Sequence, residues 1–257
     1  MRIAVAGGTG AAGRHTIDAL RSAGHDAVPL SRAGGVDFSS GAGLPSALQG
    51  AEVVIDTLNT SARKLLPASA FFTGAARSLQ SSASAQGARR LVLLSIVGAD
   101  KVPYGYYQAK VAQEAAALDG PLPVSIVRAT QFHELAAQVA KRFRKGLVAL
   151  APRMAVQPVS AKSVGQLLAE VATASEAPAV TELAGPERAY LPDMAQALLH
   201  RLGTRVMVLP FSLRGDAGPA VQGGALLPGP GARIIGPSFE DWLAGDGPEQ
   251  AWAALRQ

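Results

Sequence analysis

A chain of 257 residues, 48% hydrophobic and 17% charged, is long enough to bury a large core and too apolar to remain disordered. It has no cysteine, which excludes disulfides, thiolate metal centres and a cysteine nucleophile. Its net charge of +5 raises nucleic acid as a partner, but the arginines are scattered and aromatics are not interleaved with them.

Arg2-Ile3-Ala4-Val5-Ala6 reads as a short buried strand. Gly7-Gly8-Thr9-Gly10-Ala11-Ala12-Gly13 follows, and then Ile17, Leu20 and Ala23 recur at helical spacing until Gly24. A glycine-rich turn between a strand and a helix is the setting in which such a motif binds a dinucleotide. Gly7 permits the sharp turn, Gly10 lets backbone approach a pyrophosphate, and Gly13 lets the helix pack tightly on the strand. The amides from Thr9, Ala11 and Ala12 onward, together with the helix dipole, then face the phosphates. Because the apolar opening is only five residues long before the glycines, no leader or membrane span is read here, and a soluble cytoplasmic protein is expected.

Ala27-Val28-Pro29-Leu30 is the second strand, closing on Ser31-Arg32. An acid at that tip would bind the adenosine ribose of NAD; a guanidinium suits the 2′-phosphate of NADP instead, with the Ser31 hydroxyl beside it. Asp37-Phe38 comes next and is placed either at the adenine or in a turn before Ser39-Ser40-Gly41. Val53 to Leu58 is the third strand, and Leu58 and Asn59 at its carboxyl edge are candidates to meet ribose or phosphate, Asn59 being equally a turn residue.

An Ala/Ser-rich helix covers Ala68 to Ala85, and Leu91-Val92-Leu93-Leu94-Ser95 is a fourth strand whose unbroken apolar run suits burial on both faces. A helix carries Tyr106 to Leu118, and Val124 to Arg128 is the fifth strand. This alternation predicts a Rossmann-type, doubly wound parallel α/β sheet. Tyr106 and Lys110 are four residues apart and share a helix face, so the ammonium is expected to lower the phenol pKa. Such a tyrosine exchanges a proton with a carbonyl oxygen, with Ser95 polarising the same oxygen and Lys110 also reaching a nicotinamide ribose. Tyr107, next in sequence, leaves open which phenol faces the substrate.

The cluster Lys141-Arg142-Phe143-Arg144-Lys145 is placed at a helix end before Gly146, where cations complement the dipole. Beyond it the elements shorten: Val156 to Val159, a Ser160-capped helix to Val171, a strand near Thr181-Glu182-Leu183, a helix from Pro192 to Leu202, and a loop-rich tail. No linker separates domains, so residues 1–257 are read as one domain, mainly a dinucleotide-binding core to residue 146 and a small C-terminal substrate-covering portion from 147. His15, His25 and His200 are dispersed without metal-ligand spacing, and no Gly-x-Ser-x-Gly elbow occurs. His133, over the expected substrate pocket, is a candidate proton donor.

Together GGTGAAG, Arg32, LLSIVGAD, YYQAK, RATQF and the later LAGPERAYLPDMAQAL resemble the atypical extended short-chain dehydrogenase/reductases, the NmrA-like NAD(P)-binding group. The resemblance implies Lys110 on the nicotinamide ribose and Ala129, Thr130, Gln131 and Phe132 near the nicotinamide. Two features depart from the wider superfamily: Ser95 and Tyr106 are unusually close in sequence, and many members of the group lack a working tyrosine. The expected activity is NADPH-dependent reduction of a small carbonyl or conjugated substrate. The alternatives are a non-catalytic NADP(H) sensor and a non-redox isomerase or dehydratase. The expected partner is a small molecule, with neither nucleic acid nor membrane, no metal, and a homo-oligomer possible.

Overall fold

The computed structural model describes residues 1–255. Five strands and their crossover helices form the first part of the chain: β1 (Arg2–Ala6), α1 (Ala11–Ser22), β2 (Asp26–Leu30), α2 (Leu44–Ala47), β3 (Val53–Asp56), α3 (Leu65–Ala85), β4 (Arg90–Ile96), α4 (Gly105–Leu118) and β5 (Val124–Ala129). There follow α5 (Leu135–Arg142), β6 (Arg144–Lys145), β7 (Val148–Pro152), β8 (Ala155–Val156), α6 (Ala161–Thr173), β9 (Val180–Ala184), β10 (Ala189–Tyr190) and α7 (Leu191–Arg201). The last elements are β11 (Met207–Phe211), α8 (Ala217–Gln222), β12 (Arg233–Ile234), α9 (Phe239–Ala244) and α10 (Gly247–Ala254).

Seven strands form one parallel sheet in the order β12-β9-β5-β4-β3-β1-β2. All four residues of β3 are buried, as a strand covered on both faces requires. From β1 the chain winds outward to β2, and from β3 it winds the other way to β4, so the carboxyl ends of β1 and β3 flank a topological switch point. Open α/β sheets bind their ligands there. Leu30, Leu44, Val54, Leu79, Leu91 and Ile126 are among the side chains that fill the core on one side of this sheet.

The chain divides into two compact units. One comprises Met1–Asp100, Tyr104–Arg128 and Lys162–Thr181; the other comprises Lys101–Pro103, Ala129–Ala161 and the chain from Glu182 onward. The units thus interleave in sequence, and α6 lies almost wholly in the first, where Arg90 donates to the carbonyls of Val171 and Ala174 at its C-terminal end (3.0 and 3.1 Å). The second holds a three-stranded sheet, β11-β7-β6, in which β11 runs parallel to β7. Here the basic cluster straddles the expected helix end: Lys141 and Arg142 form the last turn of α5, and Arg144-Lys145 continue as β6.

Candidate dinucleotide and catalytic site

Gly7 takes the chain out of β1 at φ +74°, a region closed to most side chains, and a Cβ on it would lie 3.0–3.1 Å from Thr57. Thr57 in turn donates its hydroxyl to Ala6 O (2.8 Å), so the ends of β1 and β3 are tied together. The Gly10 amide closes the turn on Gly7 O (2.8 Å), and Gly10 is the extended N-cap of α1. A Cβ on Gly13 would sit 2.1 Å from Gly7 O, so no other residue fits without moving the backbone. No side chain caps α1 and its first turn holds no acid, while Thr9 and Gly10 are exposed. Ala11 is half-buried and Ala12 buried behind them. An uncapped helix start with exposed amides attracts an anion.

At the tip of β2, Ser31 accepts from the Gly34 amide (3.2 Å) and caps a single 3-10 turn, leaving Arg32 exposed. Asp37 accepts from the amides of Ser39 (2.9 Å) and Ser40 (3.4 Å) and from the Ser40 hydroxyl (2.8 Å), bonds that hold its carboxyl below the ordinary range. Phe38 is a core side chain, 3% exposed. Of the two readings of Asp37-Phe38, the geometry shows the turn: one residue builds it and the other anchors it.

After β3, Leu58 is half-buried and its amide donates to Asp56 Oδ1 (2.8 Å), and the exposed Asn59 accepts from the Thr60 amide (2.7 Å) and the Tyr106 hydroxyl (2.8 Å). Tyr106 is half-buried, with the Arg63 guanidinium 4.6 Å above its ring. Burial pushes its hydroxyl pKa up, while Arg63 and the Asn59 bond pull against that rise. The expected partner in lowering it, Lys110, instead turns inward. Lys110 is 4% exposed, donates to Leu94 O (2.8 Å) and Gln113 Oε1 (2.5 Å), and lies 4.8 Å from the Phe72 ring centre. Burial lowers its pKa to about 8 against the opposing pull of Asp56 and Glu114. Tyr107 packs edge-on against Tyr106, and burial drives its hydroxyl pKa up as well. Ser95, at the end of β4, is 2% exposed with its hydroxyl oxygen unpartnered.

Two side chains here escaped sequence reasoning. Gln113 and Asp56 are fully buried and bonded to each other (Nε2 to Oδ2, 2.8 Å), and burial pushes the Asp56 carboxyl up while Lys110 opposes it. The signals were an acid closing the apolar run of β3 and a glutamine three residues past Lys110 on its helix.

In the second unit, Ala129 and Thr130 are each 2% exposed, and Thr130 donates its hydroxyl to Gln157 O (2.6 Å). Gln131 is buried with neither end of its carboxamide partnered, and Phe132 is half-buried in a bridge to Val159. His133 is fully buried against the stacked pair Phe239 and Trp242, with ring centres 5.5 and 5.6 Å away and Nε2 3.3 Å from Pro237 O. Burial takes its pKa down to about 4, so at neutral pH the ring is uncharged and supplies no imidazolium proton. Among the described residues no group of three or more His, Asp or Glu could hold a metal ion, and no helix is long and apolar enough to cross a membrane.

No protein-family model and no curated protein sequence matches the chain. Solved structures do. MoeE5 in complex with UDP-glucuronic acid and NAD superposes with a TM-score of 0.75 at 16% identity, over 100% of both chains. The fold is that of the short-chain dehydrogenase/reductases. A superfamily protein of that name from Agrobacterium tumefaciens, with bound NAD, matches at a TM-score of 0.68 and 16% identity over 100% of this chain and 98% of its own. The dTDP-4-dehydrorhamnose reductase of Bacillus anthracis in complex with NADP matches at 0.66 and 15% identity, covering 94% and 96%. These neighbours bind NAD in some cases and NADP in others.

Proposed function

We propose that the protein is an NADPH-dependent oxidoreductase acting on a small carbonyl or conjugated substrate. The observation that carries the proposal is the acid-free, uncapped start of α1, built on a glycine that tolerates no Cβ, with Arg32 exposed at the neighbouring strand tip. The residues present fit a dinucleotide: the amides opening α1 hold the diphosphate, Arg32 pairs with a 2′-phosphate, and Lys110 directs its remaining N–H to the nicotinamide ribose. The bound nicotinamide supplies hydride. Tyr106 gives the balancing proton to the carbonyl oxygen, moving off Asn59 to do so, and Ser95 polarises that oxygen. The likeness of the motifs to the NmrA-like group supports the same reading, and a cytoplasmic setting and self-association are compatible with it.

A second reading draws on one specific fact: the Tyr106 hydroxyl is already bonded to Asn59 and its pKa is raised. On that reading the chain binds NADP(H) and signals its level without turnover. Titration with NADPH and NADH, followed by a panel of aldehydes, ketones and quinones, separates these readings. Preferential NADPH uptake with stoichiometric oxidation by one of the compounds supports the reductase. Uptake without consumption supports the sensor, and conversion with the dinucleotide regenerated means an isomerase or dehydratase. No uptake of either dinucleotide overturns all three.

A further inference from the structure

The Lys110 ammonium offers only donors, so the Gln113 carboxamide must present its oxygen to it, as it does at 2.5 Å. The amide NH2 then points the other way and donates to Asp56 Oδ2 (2.8 Å), while Asp56 Oδ1 accepts from the Leu58 amide (2.8 Å). Turned over, the amide would set NH2 against an ammonium and C=O against a carboxylate, so the direction of this chain of bonds is forced. We propose that Asp56 and Gln113 are positioning residues, a buried relay that aims Lys110 at the dinucleotide ribose and sustains its charge there. The inference rests on the proposed ribose contact for its use, but not for its existence. Two of the three lysine N–H bonds are spent, on Leu94 O and Gln113, which fixes the direction of the third.

An ammonium this deeply buried is costly unless a counter-charge reaches it. Three elements bring groups to Lys110 besides its own: β3 brings Asp56, β4 brings the Leu94 carbonyl, and α3 brings the Phe72 ring. Arg128 engages Glu114, the acid on α4 itself, through two bonds (3.0 and 2.6 Å). Glu114 therefore already has a cation, and Asp56 is the carboxylate whose partner, through Gln113, is Lys110.

The test is direct observation of the Lys110 Nζ by 15N-lysine NMR in the cofactor-free full chain, assigned with Lys110→Met. The wild-type midpoint is expected near pH 8. Asp56→Asn is expected to move it down by about one pH unit or more. Gln113→Met, apolar and of similar length, should move it the same way and keeps the measurement decisive if Asp56→Asn does not fold. NADPH affinity should fall with rising pH from correspondingly lower values in both variants. Midpoints that do not move, or an affinity loss that is uniform across pH, would overturn the relay. Failure of the wild type to bind any dinucleotide defeats the proposed function instead, and the NMR midpoints still decide the relay.

Discussion

His133 is kept neutral by its aromatic neighbours, and that has a cost in acid. Its folded pKa of about 4 lies below the ordinary value of 6.5, so between those values the unfolded chain binds more protons. Stability contributed by the neutral ring is therefore complete above pH 6.5 and is lost as pH falls through 4, by roughly 3 kcal/mol in all. Urea unfolding at pH 7.5 and 4.5 should show this loss, and His133→Phe, which keeps an aromatic ring against Phe239 and Trp242, should flatten it. An unchanged pH slope in the variant would show that other groups carry it. Tyr106 poses the opposite test, one of chemistry without stability. Tyr106→Phe removes a hydroxyl whose protein partner is the exposed Asn59, so NADPH affinity should stay within a few-fold. Turnover should drop by about 10²–10⁴, the usual worth of a positioned proton donor. Full activity in Tyr106→Phe would remove the residue from the mechanism.

At the level of the elements, the turn between β1 and α1 leaves no room for a side chain at Gly13. Gly13→Ala places a methyl group 2.1 Å from Gly7 O, and relief requires the helix to lift from the strand that aims its amides. Loss of measurable NADPH binding together with a lower melting temperature is expected, and normal binding would mean the turn does not hold the diphosphate. This turn was legible because a strand, glycines and a helix follow one another within local sequence. The parallel strands were legible for a related reason: β3 and β4 are buried on both faces and read as apolar runs. β11 was not, since most of its residues are exposed, it contains Pro210, and it pairs with β7 some 60 residues away. The same distance hid the relay beneath Lys110, because Asp56 and Gln113 lie 57 positions apart and only the sheet brings them together. Phe38 shows the converse: its place in sequence suggested the adenine, but its large apolar ring is worth more in the core.

For the molecule as a whole, a ligand that binds only the folded chain stabilises it by mass action. NADPH at a hundred times its dissociation constant should add about 2.7 kcal/mol, which for a chain of this length raises the melting temperature by about 5–10 °C. NADH supplies the same diphosphate to α1 but nothing for Arg32 to grip. A lost charge-assisted contact of about 1.5–3 kcal/mol weakens binding roughly 10- to 100-fold, so NADH at that concentration should give a clearly smaller shift. Arg32 is exposed and, among the described residues, makes no side-chain bond that its removal would break, so Arg32→Ser should leave the unliganded melting temperature nearly unchanged. It should also bring the two dinucleotide shifts together, chiefly by reducing that of NADPH. Thermal unfolding of both proteins with each dinucleotide measures all of this in one series. Equal shifts in the wild type would mean that the guanidinium does not read a phosphate, and the preference for NADPH would have to be given up while the diphosphate cradle stood.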